Sequence, residues 1–372
     1  MTRLRILHVI LSEGFKGSER SAAEYCNYLA AAGHEVAVAV PGWPTLRQFL
    51  KRGGAQGSIR DHLDSRVTVF RIRRQWFALR ALRRVIAEYA PDIAHAHLTR
   101  ATKLVARLKG TVVTTGTLHM HCFDDAYLGL DAILCVARWQ QRLIPASYRG
   151  DVFYTPNIVR PNRKLCGEEC AGLRRELGIA ENDFVIGGVG QLIERKGWDV
   201  LIRAFAKANL PDAKVLILGD GRQKDELVAL GGDRVILPGF RSNAKDYFQI
   251  MNLFVCPSRE EAFGLVLAEA LDSALPVVAS RTEGCCEILS NFPGQLYPVD
   301  DADALAALLT RHYSQRTPRQ QVDLGEFLPE NAGATLVRAY EAILASAQRN
   351  GVVDGSAGGR SSLDLSHQRR LT

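Results

Sequence analysis

Two successive series of β-rich runs, each alternating with helical patterns, constrain the fold of this 372-residue chain most strongly. In the first series the strand candidates are residues 5–11, 35–40, 67–71, 93–97, 110–115 and 132–136. In the second series they are residues 184–189, 214–218, 235–238, 253–256 and 276–279. Such alternation is typical of parallel sheets that are covered by helices. The sequence therefore predicts an α/β protein that contains two doubly wound sheets.

The predicted domain boundaries follow from the point where the pattern restarts. A first Rossmann-like domain is assigned to residues 1–157 and a second to residues 158–328. A helix is predicted at residues 329–348, placed so that it is free to cross back to the first domain. Residues 349–372 are rich in Gly, Ser and Arg, which predicts a disordered tail. Because ligands of open α/β sheets bind at the carboxyl ends of the strands, the two domains are expected to face each other across a ligand-binding cleft.

The amino-terminal segment has one feature of a secretion signal, since Arg3 and Arg5 precede an apolar run. Glu13, Lys16 and Glu19 follow at once without a small-residue cleavage pattern, which favours a buried first strand. No apolar stretch approaches the roughly 18–20 residues that span a bilayer. With 47% hydrophobic residues and a mean hydropathy of −0.06, the chain is predicted to be a soluble globular protein of the cytoplasm.

Candidate metal ligands are few. The eight cysteines lack the paired spacing of a structural zinc site and are interpreted as reduced thiols. Asp301 and Asp303 have the spacing of a metal-binding DxD motif, but the Ala- and Leu-rich helix pattern after them favours an N-cap with an acidic first turn. His95 and His97 lie at alternate positions of a strand and are interpreted as lining a buried sheet. We therefore predict no metal site and no cofactor.

Positive charge is concentrated in the first domain, where residues 1–150 contain 22 Lys and Arg against 11 Asp and Glu. Many of these cations lie in residues 71–84, which also contain Trp76 and Phe77 and have helical periodicity. Two interpretations stay open: a helix with a solvated basic face, or a patch that binds anionic lipid head groups or an acidic acceptor. The second implies peripheral contact with the inner face of the cell membrane. No nucleic-acid-binding signature accompanies the charge, so no nucleic-acid partner is expected.

The densest chemical signal is the segment from Glu261 to Glu269. A buried strand is predicted to end just before it, and a helix to begin near Gly264. Free backbone N–H groups on Gly264, Leu265 and Val266 would favour a phosphate. Glutamates on either side of such a turn can accept hydrogen bonds from a sugar and from a ribose. Local chemistry supports equally an ordinary helix start with a surface glutamate.

Residues 261–269 resemble the E-x7-E motif of the retaining glycosyltransferases of family 4, which have the two-domain GT-B fold. Other segments match that family in the same order between about residues 4 and 345: 16–20, 32–36, 92–97, 113–119, 190–197, 218–221 and 238–240. The resemblance implies a GT-B enzyme that moves a hexose-type sugar from a UDP, GDP or ADP sugar to a glycan or glycolipid acceptor. Lipid-linked glycans, lipopolysaccharide and exopolysaccharide are the acceptor classes expected.

The resemblance also implies roles for individual residues. Glu261 would contact hydroxyls of the donor sugar, and Glu269 would bind the ribose. Lys196 would pair with the diphosphate and stabilise the leaving group, a role that its charge also favours. His119 matches a histidine beside the reacting sugar, and Glu261, His119 and Lys196 form the implied catalytic set. The other implied donor-binding residues are Gly17, Gln191, Gly219, Phe263, Gly264, Leu265 and Val266.

Departures from the family pattern concern donor affinity and sugar choice more than the fold. Gln191 stands where an arginine usually pairs with the lysine, so one charge contact is missing unless Arg195 or another residue supplies it. Lys16 replaces one of two glycines in the first loop, and it either compensates or points to solvent. Ala262 and Ala274 also replace common glycines.

Other functions are compatible with two α/β domains. An NAD-dependent dehydrogenase is disfavoured because no GxGxxG segment joins the first strand to its helix. A nucleotide-sugar epimerase of the same fold would release nucleotide without an acceptor. A non-catalytic scaffold that binds sugar nucleotides is a further alternative, suggested by Gln191.

Overall fold

The computed structural model describes residues 3–12, 14–42, 58–73 and 75–349, which form two parallel β-sheets with helices on both faces. The first sheet contains β1 (Arg5–Ile10), β2 (Glu35–Pro41), β3 (Thr68–Ile72), β4 (Ile93–His97), β5 (Val113–Leu118), β6 (Ala132–Cys135) and β7 (Asp151–Tyr154). The second contains β8 (Phe184–Val189), β9 (Ala213–Leu218), β10 (Val235–Ile236), β11 (Leu253–Cys256), β12 (Val277–Ser280) and β13 (Gln295–Tyr297).

Both sheets reverse their strand order near the middle. The orders are β3-β2-β1-β4-β5-β6-β7 and β10-β9-β8-β11-β12-β13, and all neighbouring strands are parallel. The reversals fall between β1 and β4 and between β8 and β11. At such a reversal, the loops that follow adjacent strands diverge and leave a crevice at the carboxyl ends. The predicted pair of doubly wound Rossmann-like domains is therefore confirmed.

Eleven α-helices are described, interspersed with 3-10 turns: α1 (Gly17–Ala31), α2 (Ala78–Tyr89), α3 (Leu98–Val105), α4 (Gly167–Glu176), α5 (Trp198–Ala208), α6 (Lys224–Gly231), α7 (Ala244–Tyr247), α8 (Leu265–Asp272), α9 (Glu283–Leu289), α10 (Ala302–Gln315) and α11 (Pro329–Arg349). Because they cover both faces of each sheet, the central strands are almost continuously apolar and buried. None of the described helices combines the length and the apolarity needed to cross a membrane.

Several elements differ from the sequence-based prediction. The fifth strand begins three residues later than expected, because Gly110 has a φ of 86° and belongs to a turn. The edge strands β7 and β13 are absent from the prediction. Each is short, and β7 is only half-buried, so its apolar pattern is weak.

The chain crosses between the domains twice, at adjacent places. Ile158 packs in the core of the first domain, whereas Val159 packs in the core of the second. The return crossing follows Phe327, whose carbonyl accepts a hydrogen bond from the Val159 N–H at 2.8 Å. The two crossing segments are therefore joined to each other at the domain junction.

The long helix α11 follows the second domain but packs against the first. Leu336, Tyr340 and Ile343 are buried in the same core cluster as residues of α1 and β1. A Cβ added at Gly333 would lie 2.2 Å from the ring of Tyr28, so α11 and α1 approach closely. The last segment of the described chain thus completes the core of the first domain. Residues 350–372, which hold almost all of the predicted tail, lie outside the described residues.

Candidate active site

The segment between β11 and α8 forms a helix start that opens towards the first domain. Gly264 is the N-cap residue, and its φ of 88° lies in the left-handed region that strains any residue with a Cβ. No side chain caps α8 within the described part of the chain. The Gly264 N–H donates to the Glu261 carboxylate, so the N–H groups of Leu265 and Val266 are the ones left for a ligand.

Glu261 and Lys196 form an ion pair across the mouth of the second sheet. The Nζ of Lys196 lies 2.5 Å from Oε2 of Glu261, and both side chains are mostly buried. Burial alone would raise the pKa of Glu261, but the attraction of Lys196 brings it below its ordinary value. Burial likewise opposes the charged form of Lys196, whose pKa is nevertheless raised by Glu261. Both groups are therefore ionised at neutral pH.

The loops after β8 and β9 meet beside this pair. The carbonyl of Gln191 accepts a hydrogen bond from Nε1 of Trp198 at 2.8 Å, which holds the loop that leads to Lys196. A Cβ at Gly219 would lie 1.8 Å from the carbonyl oxygen of Gly190, so this position accepts only glycine. Gln191 and Gly219 are thus brought to the same edge of the sheet as Lys196.

Glu269 makes a contact between the two domains. Its side chain is 2% exposed and is paired with the guanidinium of Arg20, which projects from the first turn of α1. The Nζ of Lys245 on α7 lies 3.4 Å from the same carboxylate oxygen. Burial, with repulsion from Arg20, lowers the pKa of Lys245 to about 8. Two cations therefore face the buried second glutamate.

The remaining predicted donor-binding residues are placed differently. Gly17 begins α1 at the domain junction, and a Cβ added there would meet nothing within 4 Å, so the position is open. Phe263 packs edge-on against Phe327, with ring centroids 5.2 Å apart, so its side chain belongs to the core and only its backbone is free to face a ligand. The side chain of Lys16 is exposed.

His119 follows β5 and lies on the first-domain side of the same cleft. Its Nε2 is 3.0 Å from Nδ1 of His97. Two residues later, His121 bonds Glu260 across the cleft at 3.1 Å, so the loop after β5 meets the loop that carries Glu261. Burial lowers the pKa of His119 to about 4, which makes the ring neutral at pH 7.

Three buried histidines, His8, His95 and His97, form the one group of potential metal ligands among the described residues, with ligand atoms within 4.8 Å of one another. Their nitrogens are largely engaged with protein groups. Nδ1 of His8 lies 2.9 Å from Nε2 of His97, and the two nitrogens of His95 lie 2.6 Å from Tyr340 and Thr117 hydroxyls. His95 and His97 do line a buried sheet as predicted, but the hydrogen bonds that join His97 to His8 and His119 were not foreseen.

Other candidate ligands have structural roles. Asp301 caps α10 by accepting from the N–H groups of Asp303 and Ala304 at 3.1 and 2.8 Å, in agreement with the N-cap prediction. All eight cysteines are free thiols.

Arg20 and Lys245 are site residues that sequence reasoning missed. Arg195, named as a replacement for the missing arginine, instead donates to the carbonyl of Glu260 at 3.2 Å. Arg20 is the last residue of segment 16–20, which resembles the family pattern. Its position in the first turn of a helix at the cleft could have identified it from the sequence. Lys245 lies in a four-residue helix whose pattern carries no such signal.

Two doubly wound Rossmann-like domains that face each other across a cleft define the GT-B class of proteins. In this chain, loops from both domains surround the Lys196–Glu261 pair. Residues 15–162 match the family model "Glycosyltransferase Family 4", and residues 172–326 match "Glycosyl transferases group 1". The chain belongs to the glycosyltransferases of the GT-B fold.

Curated relatives and solved structures agree with this assignment. The chain is 24% identical over 335 residues to the lipopolysaccharide core biosynthesis glycosyltransferase LpsD of Rhizobium meliloti, covering 87% of this chain and 92% of that protein. It is 28% identical over 322 residues to the phosphatidyl-myo-inositol mannosyltransferase of Mycolicibacterium smegmatis, covering 79% and 80%.

The fold is shared with a glycosyltransferase from Rickettsia africae, with a TM-score of 0.71, 18% identity, and coverage of 96% of this chain and 100% of that one. It is also shared with Anabaena HepE in complex with UDP-glucose, with a TM-score of 0.70, 19% identity, and coverage of 94% and 100%.

Proposed function

We propose that this glycosyltransferase moves a hexose-type sugar from a nucleotide-diphosphate sugar to a lipid-linked glycan, lipopolysaccharide or exopolysaccharide acceptor, with retention of configuration and without a metal. The observation that carries the proposal is the buried Lys196–Glu261 pair at the open start of α8. A cation and free N–H groups favour a diphosphate, and a neighbouring carboxylate favours sugar hydroxyls. The complex of HepE with UDP-glucose supports a nucleotide-sugar donor for this fold.

In the proposed mechanism, protein groups stabilise the charge that develops on the departing diphosphate. Lys196 and the N–H groups of Leu265 and Val266 face that charge, while Glu261 orients the donor sugar. The acceptor hydroxyl attacks the anomeric carbon from the side on which the phosphate leaves, and its proton passes to the leaving phosphate oxygen. Glu269 holds the ribose.

Peripheral contact with an anionic membrane is proposed for the start of α2. Trp76 and Phe77 are 96% and 56% exposed and follow β3 at the edge of the sheet that faces the cleft. Arg80, Arg83 and Arg84 are exposed on the helix that follows, opposite its buried side. Aromatic and basic side chains together favour a lipid interface, which would bring a lipid-linked acceptor close to the cleft. Arg74, another cation of the basic stretch at residues 71–84, lies outside the described residues.

A donor screen tests the proposal. The protein is incubated with UDP-, GDP- and ADP-sugars, and thermal unfolding and nucleotide release are followed with and without lipid-linked acceptor. A bound donor raises the unfolding temperature by mass action, and transfer requires both substrates. Release without acceptor would favour an epimerase, and binding without turnover under every combination would favour a scaffold.

Metal independence is tested in the same assay. Transfer is expected to continue in excess EDTA because Lys196 and backbone dipoles supply the positive charge. Complete loss of transfer that Mg²⁺ restores would contradict this part of the proposal.

A further inference from the structure

Three histidines on or directly after adjacent parallel strands form a continuous hydrogen-bonded chain from the sheet interior to the cleft. His8 lies on β1, His97 ends β4, and His119 follows β5. Nδ1 of His8 is 2.9 Å from Nε2 of His97, and Nδ1 of His97 is 3.0 Å from Nε2 of His119. His8 and His97 are fully buried, whereas His119 is partly exposed. We call His8, His97 and His119 the histidine chain.

All three rings are neutral at pH 7. Burial lowers the pKa of His8 to about 3 and that of His119 to about 4, and it lowers the pKa of His97 well below its ordinary value. A neutral imidazole carries one N–H and one bare nitrogen. Since both nitrogens of His97 are bonded within the chain, one donates and the other accepts. The two hydrogen bonds must therefore run in the same direction.

The buried end of the chain decides which direction that is. Nε2 of His8 is buried and has no hydrogen-bond partner in the described part of the protein. If the bonds run from His119 to His8, this nitrogen carries a buried N–H without an acceptor. If they run from His8 to His119, it is a bare nitrogen. Buried N–H groups without a partner are rarer in native structures than buried acceptors without one, which favours bonds that run towards His119.

No neighbouring described side chain adds a hydrogen bond to the histidine chain. The ring of His95 lies against that of His97 with centroids 4.2 Å apart and a tilt of 30°, but both nitrogens of His95 are engaged by Tyr340 and Thr117. The phenol of Tyr25 donates to backbone carbonyls of the interdomain crossing. The chain thus has one buried end, at His8, and one open end, at His119.

We propose that His8 and His97 are positioning residues that hold His119 in the tautomer with its proton on Nδ1. Nε2 of His119 accepts from His97, so Nδ1 is left as an N–H donor, and no described residue accepts from it. The ligand that it fits is an oxygen that carries a lone pair, such as a hydroxyl or acyl oxygen of the donor sugar. Glu261 only accepts hydrogen bonds, so the two groups would recognise complementary parts of one sugar. The choice of ligand rests on the proposed function, but the tautomer does not.

Nitrogen NMR of the full-length protein tests the tautomer directly. The protein is labelled with ¹⁵N-histidine, and the signals of its nine histidines are assigned with single His→Gln variants. Long-range proton–nitrogen correlations distinguish protonated from bare ring nitrogens. We expect protonated Nδ1 and bare Nε2 in His8, His97 and His119. A protonated Nε2 in His119 overturns the proposal whether or not a donor has been found.

A matched pair of variants tests the positioning role. In His97→Asn an amide N–H lies near the position of Nδ1 and still reaches His119, whereas in His97→Gln the amide lies near Nε2 and does not. We expect kcat of the Gln variant to be roughly 5- to 10-fold below that of the Asn variant, the effect of one lost hydrogen bond. Gln is closer to histidine in volume, so a packing role predicts the opposite order, and that order overturns the proposal.

The two experiments separate this inference from the proposed function. If no sugar nucleotide is turned over but His119 is protonated on Nδ1, the transferase proposal fails and the proposed tautomer of His119 stands. If transfer occurs and His119 is protonated on Nε2, the proposed tautomer is wrong and the transferase proposal stands.

Discussion

Lys196 and Glu261 neutralise each other before any donor binds. A lone buried charge costs several kcal/mol, and the pairing at 2.5 Å offsets part of that cost for both partners. The pKa of Glu261 is lowered and that of Lys196 is raised, so the pair contributes to stability above the acid range and below the alkaline range. The cation proposed for the diphosphate is thus kept charged and in place.

Replacement of Lys196 tests its proposed role. In Lys196→Met the positive charge at the leaving diphosphate is lost, and we expect kcat to fall by about 100-fold or more. The measurement is the initial rate at saturating donor, with thermal unfolding recorded to detect any effect of the unpaired Glu261. Lys207→Met, which removes an exposed pair with Asp303, is the control. A kcat within twofold of the unmodified protein would contradict the role.

The Arg20–Glu269 pair joins a residue of each domain, and we predict that it stabilises the protein. Arg20→Met leaves a buried carboxylate with only Lys245 nearby, so the free energy of unfolding is expected to fall by about 2–3 kcal/mol. Glu269→Gln in the same chain should recover part of the loss, which a double-mutant cycle in urea measures.

The control for this cycle is Arg203→Met. Its guanidinium is about half exposed and pairs with Asp199 one helical turn away, so a change below about 0.5 kcal/mol is expected. A coupling near zero between Arg20 and Glu269 would show that the interdomain pair has no energetic role.

At the level of elements, β1, β4 and β5 pack four neutral histidines against one another. His8, His95, His97 and His119 all have lowered pKa values because they are buried. Below about pH 6.5 the unfolded chain binds protons that these rings do not bind in the folded state. Stability is therefore complete above that pH and declines as the pH falls.

This predicts acid sensitivity of the first domain. Each of these histidines contributes up to about 1.4 kcal/mol of lost stability per pH unit between about pH 6.5 and pH 5. Urea unfolding across this range measures the slope. His8→Asn should reduce the slope of the free energy of unfolding against pH by the contribution of one histidine, whatever its effect on absolute stability. An equal slope in His8→Asn and in the unmodified protein would contradict the prediction.

For the whole molecule, the unequal distribution of charge predicts how the protein orients at a surface. Co-sedimentation with anionic vesicles is expected, and combined Arg80→Glu, Arg83→Glu and Arg84→Glu should reduce it at least about 100-fold, since each basic residue contributes roughly 1 kcal/mol. Zwitterionic vesicles should bind weakly in both cases.

Charge reversal on the second domain is the control for this prediction. Arg203, Arg222 and Arg311 are exposed there, and their replacement by Glu changes net charge equally. Equal loss of binding would indicate a general charge effect. Unchanged binding of the α2 variant would contradict the membrane patch.

Local patterns in the sequence determined most of the architecture. Strands β4, β8 and β11 have the predicted bounds, because buried parallel strands are continuous apolar runs. The start of α8 was also predictable, since Gly264 and the apolar residues after it mark a helix boundary. The ordered motifs around these elements indicated the GT-B fold.

Tertiary structure alone decided which side chains meet. Arg20 and Glu269 are far apart in the chain and lie in different domains. His8, His97 and His119 lie on or directly after β1, β4 and β5, and β1 and β4 are neighbours in the sheet although β2 and β3 separate them in the sequence. Ion pairs and hydrogen bonds act over a few ångströms, so their partners are set by how the sheets and domains pack. The sequence determined the helix start between Glu261 and Glu269, and packing determined the cations and the histidine chain that surround it.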